Sequence, residues 1–163
     1  MKALWSLVVT FILSAAPALQ AELPTKKVLT LGMAKKLVAA AEAEAKKRGA
    51  TVVIAVVDDG GQLILLERLD DTQVASVEVA IGKARTAAIF LRPSKVFEDQ
   101  VKNGRVAALA LPGATPLQGG IPITVEGKVI GAIGASGNSP QEDEEVALAG
   151  AAVTTTAVQE EGR

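Results

Sequence analysis

The 163-residue chain carries 17 basic and 18 acidic residues and has no cysteine, histidine or tyrosine. That inventory excludes a disulfide framework, a serine–histidine triad, a cysteine nucleophile and a conventional zinc or copper site. A near-neutral surface with few aromatic residues also lacks the charge and stacking on which nucleic-acid binding rests.

Met1-Lys2 gives a short positive start, Ala3 to Leu13 a nearly unbroken apolar run, and Ser14-Ala15-Ala16-Pro17-Ala18 a close of small residues. This layout predicts a secretory signal peptide over 1–21, cut after Ala18 or Ala21, and one domain over 22–163. The run is too short for a permanent membrane anchor, so a periplasmic or secreted location is expected. Trp5 and Phe11 fall in this segment, which leaves Phe90 and Phe97 as the aromatic residues of the domain.

Residues 22–29 read as a short arm with Pro24 and Lys26-Lys27. Thr30 is placed to cap a helix whose apolar positions Leu31, Ala34, Val38, Ala41 and Ala45 step by three and four. Gly49 is its expected left-handed end. Thr51 to Val57 predicts a strand, Asp58-Asp59-Gly60-Gly61 a turn, and Gln62 to Leu69 a second strand. Neither strand alternates cleanly, which predicts a sheet covered on both faces. Gln73 to Leu91 predicts a helix apolar nearly all round, which implies a partner subunit or a ligand cavity beyond the core, with Ala80 and Ala87 on the face for a partner. Ser94 to Asn103 predicts a short helix closed by Gly104, and Leu109 to Gly120 is irregular. Ile121 to Glu126 and Lys128 to Ala135 predict a second hairpin about Gly127. Ser139-Pro140-Gln141-Glu142 starts a final helix to about Val158. Hairpins around intervening helices argue for an antiparallel sheet.

Among side chains that could carry chemistry, Lys83 stands out, because it lies among alanines where its ammonium could bind an anion or have a lowered pKa. The bland alternative is a packed stem with the charge in water. Asp58 and Asp59 suit a cation or simply a hairpin turn. Glu142-Asp143-Glu144-Glu145 resembles a metal cluster but sits where acids complement a helix dipole. Gly119-Gly120 before Ile121-Pro122 could present backbone N–H groups to an anion. No catalytic residue is assigned, and no metal is specified.

Four stretches then carry a resemblance: VVIAVVDDGGQLILLERLDD (52–71), ASVEVAIGKARTAA (75–88), GGIPITVEGKVIGAIGASG (119–137) and SPQEDEEVALAGAAV (139–153). In this order they resemble the GlcG/HbpS-like haem-binding family, which includes the C-terminal domain of PduO-type corrinoid adenosyltransferases. The resemblance implies an α/β (α+β) fold, a profilin-like three-layer α/β/α domain with a five-stranded antiparallel sheet. It also implies a homo-oligomer that binds a small molecule, with haem the named ligand. Lys83, Asp58 and the segment Gly119, Gly120, Ile121, Pro122 match its motif positions. The absence of histidine removes the usual axial ligand. The expectation is therefore an exported oligomeric small-ligand-binding protein. An enzyme or accessory protein acting on a small hydroxy or oxo acid of the glycolate type is the alternative, and a purely structural partner a third.

Overall fold

The computed structural model describes residues 23–161, so the expected signal segment lies outside the described residues. The first helix, α1, spans Leu31–Arg48. Thr30 Oγ1 accepts the Met33 N–H at 3.2 Å. At the other end Gly49 adopts φ 65° and its N–H reaches the carbonyls of Ala45 and Lys46. Both caps arise where the side chain or its absence meets the need of unpaired helix-end groups.

Strands β1 (Val53–Asp58) and β2 (Leu63–Arg68) form the first hairpin. Helix α2 (Ser76–Ile89) and helix α3 (Lys95–Lys102) follow, then a 3₁₀ turn at Val106–Ala110. Strands β3 (Gly120–Val125) and β4 (Lys128–Ser136) make the second hairpin, and helix α4 (Pro140–Glu161) ends the described chain. The sheet is antiparallel throughout, in the order β2-β1-β4-β3. Among the described residues no helix is long and apolar enough to cross a membrane.

Period-two alternation divides the core. Val52, Ile54 and Val56 face α1 and α4, packing with Leu37, Val38, Ala41, Val146 and Ala147. Val53, Ala55 and Val57 face the other way, toward Ala80, Ala84, Ala87 and Ala88 of α2. Three layers result, and β1 is buried on both sides as expected. The companion expectation for β2 fails: it is an edge strand, and Leu63 is 48% exposed. Fully burying a valine, leucine or isoleucine is worth about 1.5–3 kcal/mol, far more than an alanine. The α1/α4 side therefore supplies most of the apolar stabilisation.

The α2 side holds by close approach instead. Gly120 of β3 pairs with Gly134 of β4. A Cβ on Gly120 would come within 2.1 Å of the Lys83 carbonyl oxygen, and one on Gly134 within 2.4 Å of that of Ala80. The backbone of α2 thus lies directly on a floor without side chains. Ala80 and Ala87, read from sequence as a surface for a partner, are wholly buried against this sheet.

Four strands are present among the described residues where the resemblance implied five. The stretch before β3 is held by side chains in place of a ladder: Thr115 N–H donates to Thr86 Oγ1 at 2.7 Å, and Gln118 N–H to Glu98. Pro112 and Pro116 cannot donate to a sheet at all. The free edge of β3 is blunted as well. Ala135 N–H donates to the Gly119 carbonyl, which sets Gly120 and Pro122 in positions whose backbone groups point outward. Ser94 takes both outward groups of Gly120, its N–H donating to the carbonyl at 3.0 Å and its Oγ accepting the N–H at 2.8 Å. Pro122 has no N–H to offer, and the register slips between Ile123 and Thr124.

Candidate functional site

Helices from both faces meet at the end of the sheet where β3 begins and β4 finishes. Because α2 lies flush on the two glycines, the Lys83 side chain is directed along the sheet to that end. Its Nζ donates to Asp143 Oδ2 at 2.7 Å and to the Ala135 carbonyl at 3.0 Å. The two side chains are 4% and 3% exposed. Asp143 enters from the first turn of α4, and its Oδ1 accepts the Asn138 N–H at 3.0 Å. Burial pushes the Asp143 carboxyl above its ordinary value, against the opposing effect of the Lys83 hydrogen bond and charge and the N–H groups of Asn138 and Gly137.

Gly119 makes room for this pair. It adopts φ 121°, and a Cβ there would lie 3.1 Å from Lys83 Nζ and 2.9 Å from the Ala135 oxygen. So Lys83, Gly119 and Gly120 come together, with Ile121 buried next to them. The Gly120 N–H is not presented to an anion, being bonded to Ser94 Oγ. Pro122 lies further along the edge strand. Asp58 stands apart: its partner on β4 is Gly131, four residues from Ala135, or about 13 Å at the rise of a strand. Its Oδ1 accepts the Gln62 N–H at 2.8 Å, the chemistry of a hairpin turn.

The acidic run at the start of α4 disperses. Glu142 and Ser139 form the expected capping box, with Ser139 Oγ donating to Glu142 at 2.6 Å. Glu144 accepts from the Gln118 side chain at 2.6 Å, and Glu145 pairs with Arg48. Among the described residues no group of three or more acidic, histidine or cysteine side chains is placed to hold a metal ion.

Asp143 was read from the sequence only as one acid of a helix start, and Ser94, Glu98 and Gln118 were not singled out, yet Asp143 pairs with Lys83 and the other three hold the entry to β3. The signal for Asp143 was its spacing. It stands three before Val146 and four before Ala147, on the buried face of α4.

Residues 29–152 match the family described as Haem degrading protein HbpS-like. Protein GlcG of Escherichia coli is 45% identical over 112 residues, spanning 69% of this chain and 84% of that protein. A double mutant of HbpS from Streptomyces reticuli is similar in structure, with a TM-score of 0.75 and 36% identity over 86% of this chain and 97% of that one. A PduOC:Heme complex matches with a TM-score of 0.71 and 26% identity over 77% of this chain and 94% of that one.

Proposed function

The chain belongs to the HbpS-like family, and from that premise we propose that it is an exported, oligomeric small-molecule-binding protein whose ligand is haem or a related tetrapyrrole. The observation that carries the reading is the fold that 77% of this chain shares with a protein described as a haem complex.

The donor set defines what kind of haem binding the residues can support. Histidine, cysteine and tyrosine are missing from the whole sequence. Met33 is half-buried against the core, and the Lys83 ammonium is held by Asp143 and Ala135. These residues do not fit strong axial ligation of the iron. They fit burial of an apolar ring with cationic partners for its carboxylates. The closed Lys83–Asp143 pair also weakens the alternative in which Lys83 anchors or protonates a small acid, because the amine has a partner already.

Export is supported by the layout of residues 1–21. An assembled form is supported by the exposed apolar side chains Leu91, Val106 and Leu109, which are 64%, 65% and 61% exposed. Titration of the purified protein with hemin, followed in the Soret and visible bands, tests the ligand. The expected result is saturable binding with a high-spin ferric spectrum. A complex with a low-spin, nitrogen- or thioether-ligated spectrum would contradict the donor argument. Absence of saturable binding would overturn the haem reading.

A further inference from the structure

A groove of about 600 Å³ runs between the arm that precedes α1 and the β3–β4 hairpin. That volume lies within the range of small-molecule sites. Beside it Leu29, 7% exposed, anchors the arm by packing over Gly131. A Cβ at Gly131 would come within 2.7 Å of the Leu29 side chain, so glycine lets the arm lie close to β4. The floor is apolar, built from Val125, Val129 and Ile130. Three ammonium groups surround it: Lys26 and Lys27 from the arm, and Lys128 from the hairpin.

Two of these lysines have partners that are easily exchanged. Lys26 pairs with Asp59 at 2.5 Å and Lys27 with Glu126 at 2.5 Å, yet both lysine side chains are about 60% exposed. Ion pairs so exposed to water contribute little, and a carboxylate on a ligand can replace either acid. Lys128 makes no ion pair among the described residues; the Glu126 carboxyl is held low chiefly by the hydrogen bond and charge of Lys27, with a smaller contribution from Lys128. Three cations against two acids leave a net positive groove on a chain whose overall charge is negative.

We infer that this groove is the tetrapyrrole site: the ring lies over Val125, Val129 and Ile130, and Lys26, Lys27 and Lys128 receive the carboxylates. The inference rests on the haem reading and says where the ligand sits. It differs from the sequence expectation, which centred on Lys83. Because no protein atom needs to bind the iron, the site takes iron-free protoporphyrin IX about as well as hemin.

The test is fluorescence and absorbance titration of the full chain with hemin and with protoporphyrin IX. It compares wild type, the Lys26→Ala/Lys27→Ala/Lys128→Ala variant, and a Lys35→Ala/Lys36→Ala control on exposed positions of α1. Far-ultraviolet circular dichroism confirms that each variant is folded. Wild type and control should bind both ligands with similar affinity, and the triple variant should lose about tenfold or more of it, as expected when charge-assisted contacts are removed. Wild-type affinity in the triple variant would overturn the site and leave the haem reading standing. So would tight hemin binding without protoporphyrin binding, since iron ligation would then carry the affinity. If wild type binds neither ligand, the haem reading fails and this inference with it.

Discussion

Lys83 and Asp143 are 60 positions apart in the chain and 2.7 Å apart in space. One belongs to the helix on one face of the sheet, the other to a helix on the opposite face, so the pair joins two layers that the sheet otherwise separates. Two charges withdrawn from water are costly unless each satisfies the other, and here the Ala135 carbonyl and the Asn138 N–H complete the arrangement.

Removing one member should therefore harm more than removing both. Lys83→Met or Asp143→Leu leaves a buried group without its partner and should lower stability by about 3–5 kcal/mol. The double variant Lys83→Met/Asp143→Leu should recover most of that loss. Urea denaturation of the three variants gives the coupling directly. Single variants within about 1 kcal/mol of wild type would place the pair in the class of weak surface bridges.

The glycine floor beneath α2 makes a second expectation. Gly134→Ala or Gly120→Ala sets a methyl against helix backbone, which cannot rotate aside as a side chain would. The loss should reach or exceed the upper end of ordinary overpacking, about 3 kcal/mol. Gly127→Ala supplies the comparison, because nothing lies within 4 Å of its Cβ position and only the φ of 75° is unfavourable. That change should cost about 1–2 kcal/mol. Thermal melts that rank Gly127→Ala as the more damaging would contradict the packing of α2.

Glu98 should govern part of the acid sensitivity. Burial raises its carboxyl, but hydrogen bonds from Lys102 and the Gln118 N–H, with the Lys102 and Lys95 charges, outweigh burial and hold it below the ordinary value. A carboxyl depressed in the folded state stabilises the protein above its unfolded value, and that contribution disappears as the pH falls through the folded one. Wild type should lose stability on acidification, and Glu98→Gln should lose less, so that the two curves converge at low pH. Denaturant midpoints measured from neutral pH down through the carboxylate range check the sign. Parallel curves would remove Glu98 from the account.

Much of the scaffold was legible because its signals are local. Thr30 and Gly49 bracket α1, Asp58 to Gly61 turns the first hairpin, and Ser139 with Glu142 opens α4, each through contacts within a few residues. The Lys83–Asp143 pair was half legible. Lys83 drew attention as a charge among alanines, but Asp143 had a sufficient local explanation in the helix dipole, which concealed its long-range partner. Asp58 misled in the opposite way, since a motif match said nothing about the distance along β4 that separates it from Lys83. The arm groove was invisible in sequence. Its lysines come from segments brought together only when Leu29 packs over Gly131.

The treatment of the β3 edge limits how copies of this chain can join. An incoming strand would meet Ser94 already bonded at Gly120, then a position at Pro122 without a donor, then a slipped register. Three interruptions in six residues leave no continuous template for backbone pairing. Growth of the sheet from molecule to molecule, the first step toward a fibre, is closed on that side. At the β3 edge, contact between copies is left to side chains, whose fit is specific to shape. Of the two sheet edges, β2 is the less interrupted, with one register slip against β1.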